Sequence, residues 1–97
     1  MSRHRYLPLA REELNEAAAF YEASVPELGD AFLDDVERAI QAVEERPRIG
    51  VPLGRKFRKT ILRRFPFSIV YADRDAEIVI VAVAHQRRRP GYWRGRQ

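Results

Sequence analysis

Ile78-Val79-Ile80-Val81-Ala82-Val83-Ala84 is an unbroken apolar run of seven residues, rich in β-branched side chains. A strand that is apolar on both faces must be covered on both, so this segment is expected as the central strand of a sheet. Just upstream, Phe65, Phe67, Ile69 and Tyr71 alternate with Pro66, Ser68 and Val70, the period of a neighbouring strand. Asp73-Arg74-Asp75-Ala76 between them is turn-forming. Phe57 to Arg64 reads as a further strand with a basic side. The segment from Pro47 to Gly54, with two prolines and two glycines, reads as a loop.

Towards the N-terminus the period changes. Arg3 to Leu7 suits a short edge strand closed by Pro8, whose ring removes a donor from the ladder. From Leu9 to about Ser24, Leu14, Ala17, Ala18 and Tyr21 recur at helical spacing, with early glutamates suited to the positive end of a helix dipole. Val25-Pro26-Glu27 interrupts, and a second helix follows from about Leu28 to Arg46 on Phe32, Val36, Ala39, Ile40 and Val43. The predicted order is β-α-α-β-β-β: an α+β fold in which a helical hairpin packs on a small, mostly antiparallel sheet. Ninety-seven residues form one domain, residues 1–97, without internal repeats.

Composition narrows the chemistry. Without cysteine there is no disulfide, thiolate nucleophile or Cys-based zinc site, and two histidines, His4 and His85, make a His-rich metal centre an unpromising reading. Neither a metal nor another cofactor is expected. Gly50-Val51-Pro52-Leu53-Gly54 lacks the lysine and hydroxyl of a phosphate-binding loop, and no motif surrounds Ser2, Ser24, Thr60 or Ser68. Asp34, Asp35 and Glu37 point different ways around a helix, against a catalytic carboxylate pair. The start, Met1 to Arg5, leads into no long apolar stretch, so neither a signal peptide nor a membrane span is expected, and the expected setting is the cytoplasm.

The charge points to a partner. Residues 1–45 hold four Arg/Lys against eleven acids, a net of −7, and residues 46–97 hold fourteen against three, a net of +11. The tail, His85 to Gln97, carries five arginines, Tyr92 and Trp93, and no acid. Arginine forks match phosphate or carboxylate, and the aromatic faces can stack. Lys56, Arg58, Lys59, Arg63 and Arg64 could join His85, Arg87, Arg88, Arg89, Tyr92, Trp93 and Arg94 in one basic binding face. Each has a plainer reading. Charges flanking a strand can simply be its solvated side, His85 at a strand end is more often a packed residue than a proton carrier, and Trp93 could equally fold back over the sheet.

Several stretches together carry a family likeness: Ala17-Ala18-Ala19-Phe20-Tyr21-Glu22, Arg46-Pro47-Arg48-Ile49-Gly50, Arg64-Phe65-Pro66-Phe67-Ser68-Ile69-Val70-Tyr71, and Ala82-Val83-Ala84-His85-Gln86-Arg87-Arg88-Arg89-Pro90. In this order and spacing the chain resembles the RelE/ParE superfamily of toxins from type II toxin-antitoxin pairs. The resemblance implies a growth-inhibiting toxin neutralised by a cognate acidic antitoxin in a hetero-oligomer. RelE-like members cut messenger RNA on the ribosome, whereas ParE-like members poison DNA gyrase. For the nuclease branch, the resemblance puts Lys59 and Tyr92 in catalytic positions and makes Arg87, one residue from a third, a further candidate, but Ile61 and Ser68 stand where basic groups are needed and Gln86 where that arginine is expected. An isoleucine cannot stabilise developing negative charge. His85-Gln86-Arg87-Arg88 looks more like the ParE branch. The expectation is therefore a ParE-like toxin, more binder than enzyme, with gyrase the favoured target. A ribosome-dependent nuclease and a non-toxic nucleic-acid-binding module are the alternatives.

Overall fold

The computed structural model describes residues 3–96; Met1, Ser2 and Gln97, the last residue of the tail, lie outside the described residues. The order is β1 (His4–Tyr6), α1 (Pro8–Ser24), α2 (Leu28–Glu45), β2 (Val51–Leu53), β3 (Phe57–Ile61), β4 (Phe67–Arg74) and β5 (Glu77–His85). One five-stranded sheet runs β1-β5-β4-β3-β2, antiparallel except where β1 lies parallel to β5. The predicted class holds.

Two expectations need correcting. The Pro47–Gly54 segment is not all loop, because Val51–Leu53 adds an outer strand to β3 and makes the order β-α-α-β-β-β-β. With that strand present, β4 rather than β5 occupies the middle, although β5 is still flanked on both sides and buried throughout its apolar run. β2 is held from a distance: the Tyr71 hydroxyl donates to the Pro47 carbonyl (2.8 Å) and accepts from the Gly50 N–H (2.9 Å). A Cβ on Gly50 would stand 2.5 Å from that hydroxyl, so only glycine fits.

Pro8 opens α1 at its first turn, where its missing N–H costs nothing. Against expectation, that turn contains no acid, as Glu12 and Glu13 enter one turn later. Glu22 of α1 caps α2 instead, accepting the N–H groups of Glu27 (2.9 Å) and Gly29 (3.0 Å) where no local side chain does so. The hairpin's apolar faces meet the sheet through Leu14, Phe32, Val36, Ile40 and Val43 against Phe67, Ile69, Tyr71, Ile78 and Ile80. Tyr21, Phe32, Phe65 and Phe67 form an aromatic cluster with ring centroids 4.8 to 6.2 Å apart. Buried Asp35 anchors α2 to the β3–β4 connection by accepting the Arg64 N–H at 3.2 Å.

The opposite face of the sheet has its own smaller core of Leu7, Val70, Val79, Val81, Ala82, Ala84 and Trp93. A register shift between Val70 and Tyr71 leaves Val81 as an extra residue against β4, so Val81 and Ala82 both serve this face. What covers it is the tail.

Candidate binding cleft on the tail face

Cross-strand pairing decides which cations meet. Lys59 stands opposite Val70, and Ile61 opposite Ser68, on the face away from the helices. Arg58 pairs with Tyr71 on the helix-side face, where its guanidinium donates to the carbonyls of Arg48 (3.2 Å) and Gly50 (2.8 Å). Arg63 and Arg64 lie beyond the end of β3, and Lys56 in the turn before it. The single basic face therefore divides. Arg58 secures the β2 segment, and Lys56, Arg63 and Arg64 are exposed elsewhere.

After β5 the chain doubles back over the sheet in successive turns. Gln86 N–H donates to the Pro66 carbonyl (2.8 Å), Tyr92 N–H to Arg89 (3.2 Å) and Arg94 N–H to Gly91 (2.9 Å). His85 packs its ring edge-on to Phe67, accepts the Arg87 N–H at its Nδ1 (3.0 Å) and also borders the cleft formed beneath the tail. Trp93 likewise turns inward. It is only 4% exposed and meets Phe57 with centroids 4.8 Å apart.

Between this arch and the sheet lies a cleft of about 460 Å³. Ile61, Ser68, Val70 and Ala84 line it on the sheet side, and Lys59, Arg88, Arg89 and Arg94 give it four cations. Among the described residues no carboxylate lines it. Ile61 is 55% exposed there, an apolar side chain beside cationic groups. The cleft suits an anionic ligand that also presents an apolar or aromatic group.

Two of the three nuclease candidates meet in it. Lys59 and Tyr92 line the cleft, whereas Arg87 does not. The Tyr92 hydroxyl donates to Glu13 at 2.7 Å, and burial, that hydrogen bond and the Glu13 charge all push its pKa well above the tyrosine range. Its hydroxyl proton is directed at Glu13 rather than into the cleft.

Two residues that hold the cleft together escaped the sequence reading. Glu13 on α1 accepts from the Val83 N–H (3.0 Å), the Tyr92 hydroxyl and both terminal nitrogens of Arg96 (2.9 and 3.0 Å). Burial would raise its pKa, but the hydrogen bonds from Arg96, Tyr92 and Val83 outweigh it and hold the carboxyl below its ordinary value. Nothing in the helix pattern marks Glu13 apart from Glu12 or Glu16, and its arginine partner is 83 residues away. Among the described residues no group of three His, Cys, Asp or Glu could hold a metal ion, and no helix is long and apolar enough to cross a membrane.

Comparison with known proteins bears on the fold and the family. No curated protein matches the chain. Among solved structures, a chain of the chromosomal ParDE toxin-antitoxin system from P. aeruginosa superposes with a TM-score of 0.76 at 20% identity, over 88% of this chain and 96% of that one; it supports the fold. The model of the ParE toxin of the type II toxin-antitoxin system parDE matches residues 5–90, covering both helices, β2 to β5, all but the first residue of β1, and the start of the tail. The chain belongs to the ParE toxin family of type II toxin-antitoxin systems.

Proposed function

We propose that this toxin arrests growth by binding its target, with DNA gyrase as that target, rather than by cutting RNA, and that an acidic antitoxin segment neutralises it. The observation that carries the reading is the composition of the cleft. Four cations line the cleft together with Ile61 and Ser68 of the sheet, Tyr92 is tied to Glu13, and Arg87 stands outside. Such a site attracts and holds an anionic surface; His85 and Lys59 also line it, but Tyr92, the tyrosine of the nuclease set, gives its hydroxyl proton to Glu13. The antitoxin reading rests on charge: an acidic segment that folds on binding would be captured quickly by the basic tail and sheet.

A pair of purified assays tests it. The protein should inhibit supercoiling by gyrase and leave ribosome-bound messenger intact, and excess antitoxin should relieve the inhibition. Messenger cleavage at the ribosomal A site with gyrase unaffected would establish the nuclease alternative instead.

A further inference from the structure

Along its second half, β5 has no strand beside it on the β1 side, because β1 pairs only as far as Ile80. Two of the backbone groups left over are taken by side chains. Val83 N–H donates to Glu13 (3.0 Å), and the Val81 carbonyl accepts from Arg96 (3.0 Å). The two side chains grip one another as well, both nearly out of solvent at 14% and 12% exposure. Arg96 and Arg88 lie over the Tyr92 ring at 5.1 and 3.8 Å. One carboxylate on α1 thus closes an open sheet edge and fastens the end of the tail.

We infer that Glu13 is a positioning residue: its carboxylate, through Arg96 and Tyr92, seats the tail across the sheet and thereby builds the cationic cleft, which Glu13 itself does not line. Between Arg88 and Arg94 the tail supplies three of the cleft's four cations, and these have fixed positions only while the arch is closed. Two anchors hold that arch, Trp93 packed on Phe57 and the Glu13–Arg96 pair. Arg96, Arg88 and Tyr92 face Glu13 from the tail, and β5 offers it the Val83 N–H. Because the folded pKa of Glu13 lies below its ordinary value of 4.5, the latch is complete above that pH and weakens as pH falls through the folded value.

Trp93 is the chain's one tryptophan, so its fluorescence reads tail seating directly. Acrylamide quenching of Trp93 in Glu13→Gln and in Arg96→Gln should rise several-fold over wild type while far-UV circular dichroism stays unchanged. In wild type, quenching should also rise on acidification below pH 4.5, and in Glu13→Gln that dependence should be lost. The double variant should be no looser than either single one, since both remove one contact. Unchanged quenching in both variants overturns the inference. So does collapse of the whole fold in Arg96→Gln, which would make the tail part of the global core rather than a separately seated segment. The functional half rests on the toxin reading: the loosened variants should lose growth arrest on induction, and arrest at wild-type strength with a loosened tail would refute it. A wild-type chain that causes no arrest, with Trp93 behaving as expected, would refute the toxin reading and leave the latch standing.

Discussion

Single side chains decide how the two ends of this chain meet. Glu13, Tyr71 and Asp35 each satisfy backbone groups distant in sequence, a task that no local periodicity reveals. The tyrosines share a related property. All four have raised pKa values, burial being the first cause in each, with the Glu13 hydrogen bond adding to it at Tyr92. A raised folded pKa contributes stability in full below the ordinary value of 10.0, and loses it as pH climbs through the folded value. In an alkaline titration of the folded protein, tyrosinate absorbance should therefore develop above the ordinary value of 10.0. A full tyrosine step below pH 10.0 in folded protein would contradict the packing described.

At the scale of elements, the β4–β5 hairpin is the least relaxed joint. Its two loop residues, Asp75 and Ala76, both sit at positive φ, +50° and +64°, as the tight turn between Arg74 and Glu77 demands. Alanine is poorly suited to that region, so Ala76→Gly should stabilise the protein by about 1 kcal/mol in urea unfolding; a destabilised variant would argue against this turn. The hairpin itself was legible because the Ile78–Ala84 run and the alternation before it are long and strongly patterned, and both helices were legible for the same reason. β2 was not. Three residues with a proline at the centre carry no period, and they become a strand only because Tyr71 and Arg58 hold the segment before them. The grouping of basic residues on β3 went astray for a related cause. Alternation sends Lys59 to the cleft and Arg58 to the other face, and the direction of that alternation depends on register.

Taken whole, the molecule turns its sequence-wise charge division into a division between layers. Ten acids ride on the helical hairpin, while the cleft across the sheet is cationic. The tail's positive charge was plain in the sequence, and four of the predicted binding residues, Lys59, Arg88, Arg89 and Arg94, supply the cleft's cations. That Trp93 would pack inward, and that an acid from the opposite half of the chain would fasten the tail, depended on tertiary contacts. The central claim is that this arrangement makes a toxin that acts by binding a DNA-linked target. Its most direct test is to induce the chain without antitoxin and pulse-label new DNA and new protein in the same culture. The account predicts that DNA synthesis falls first, with filamentous cells and intact messenger; an early halt in translation with cleaved messenger, or no effect on either, would contradict it.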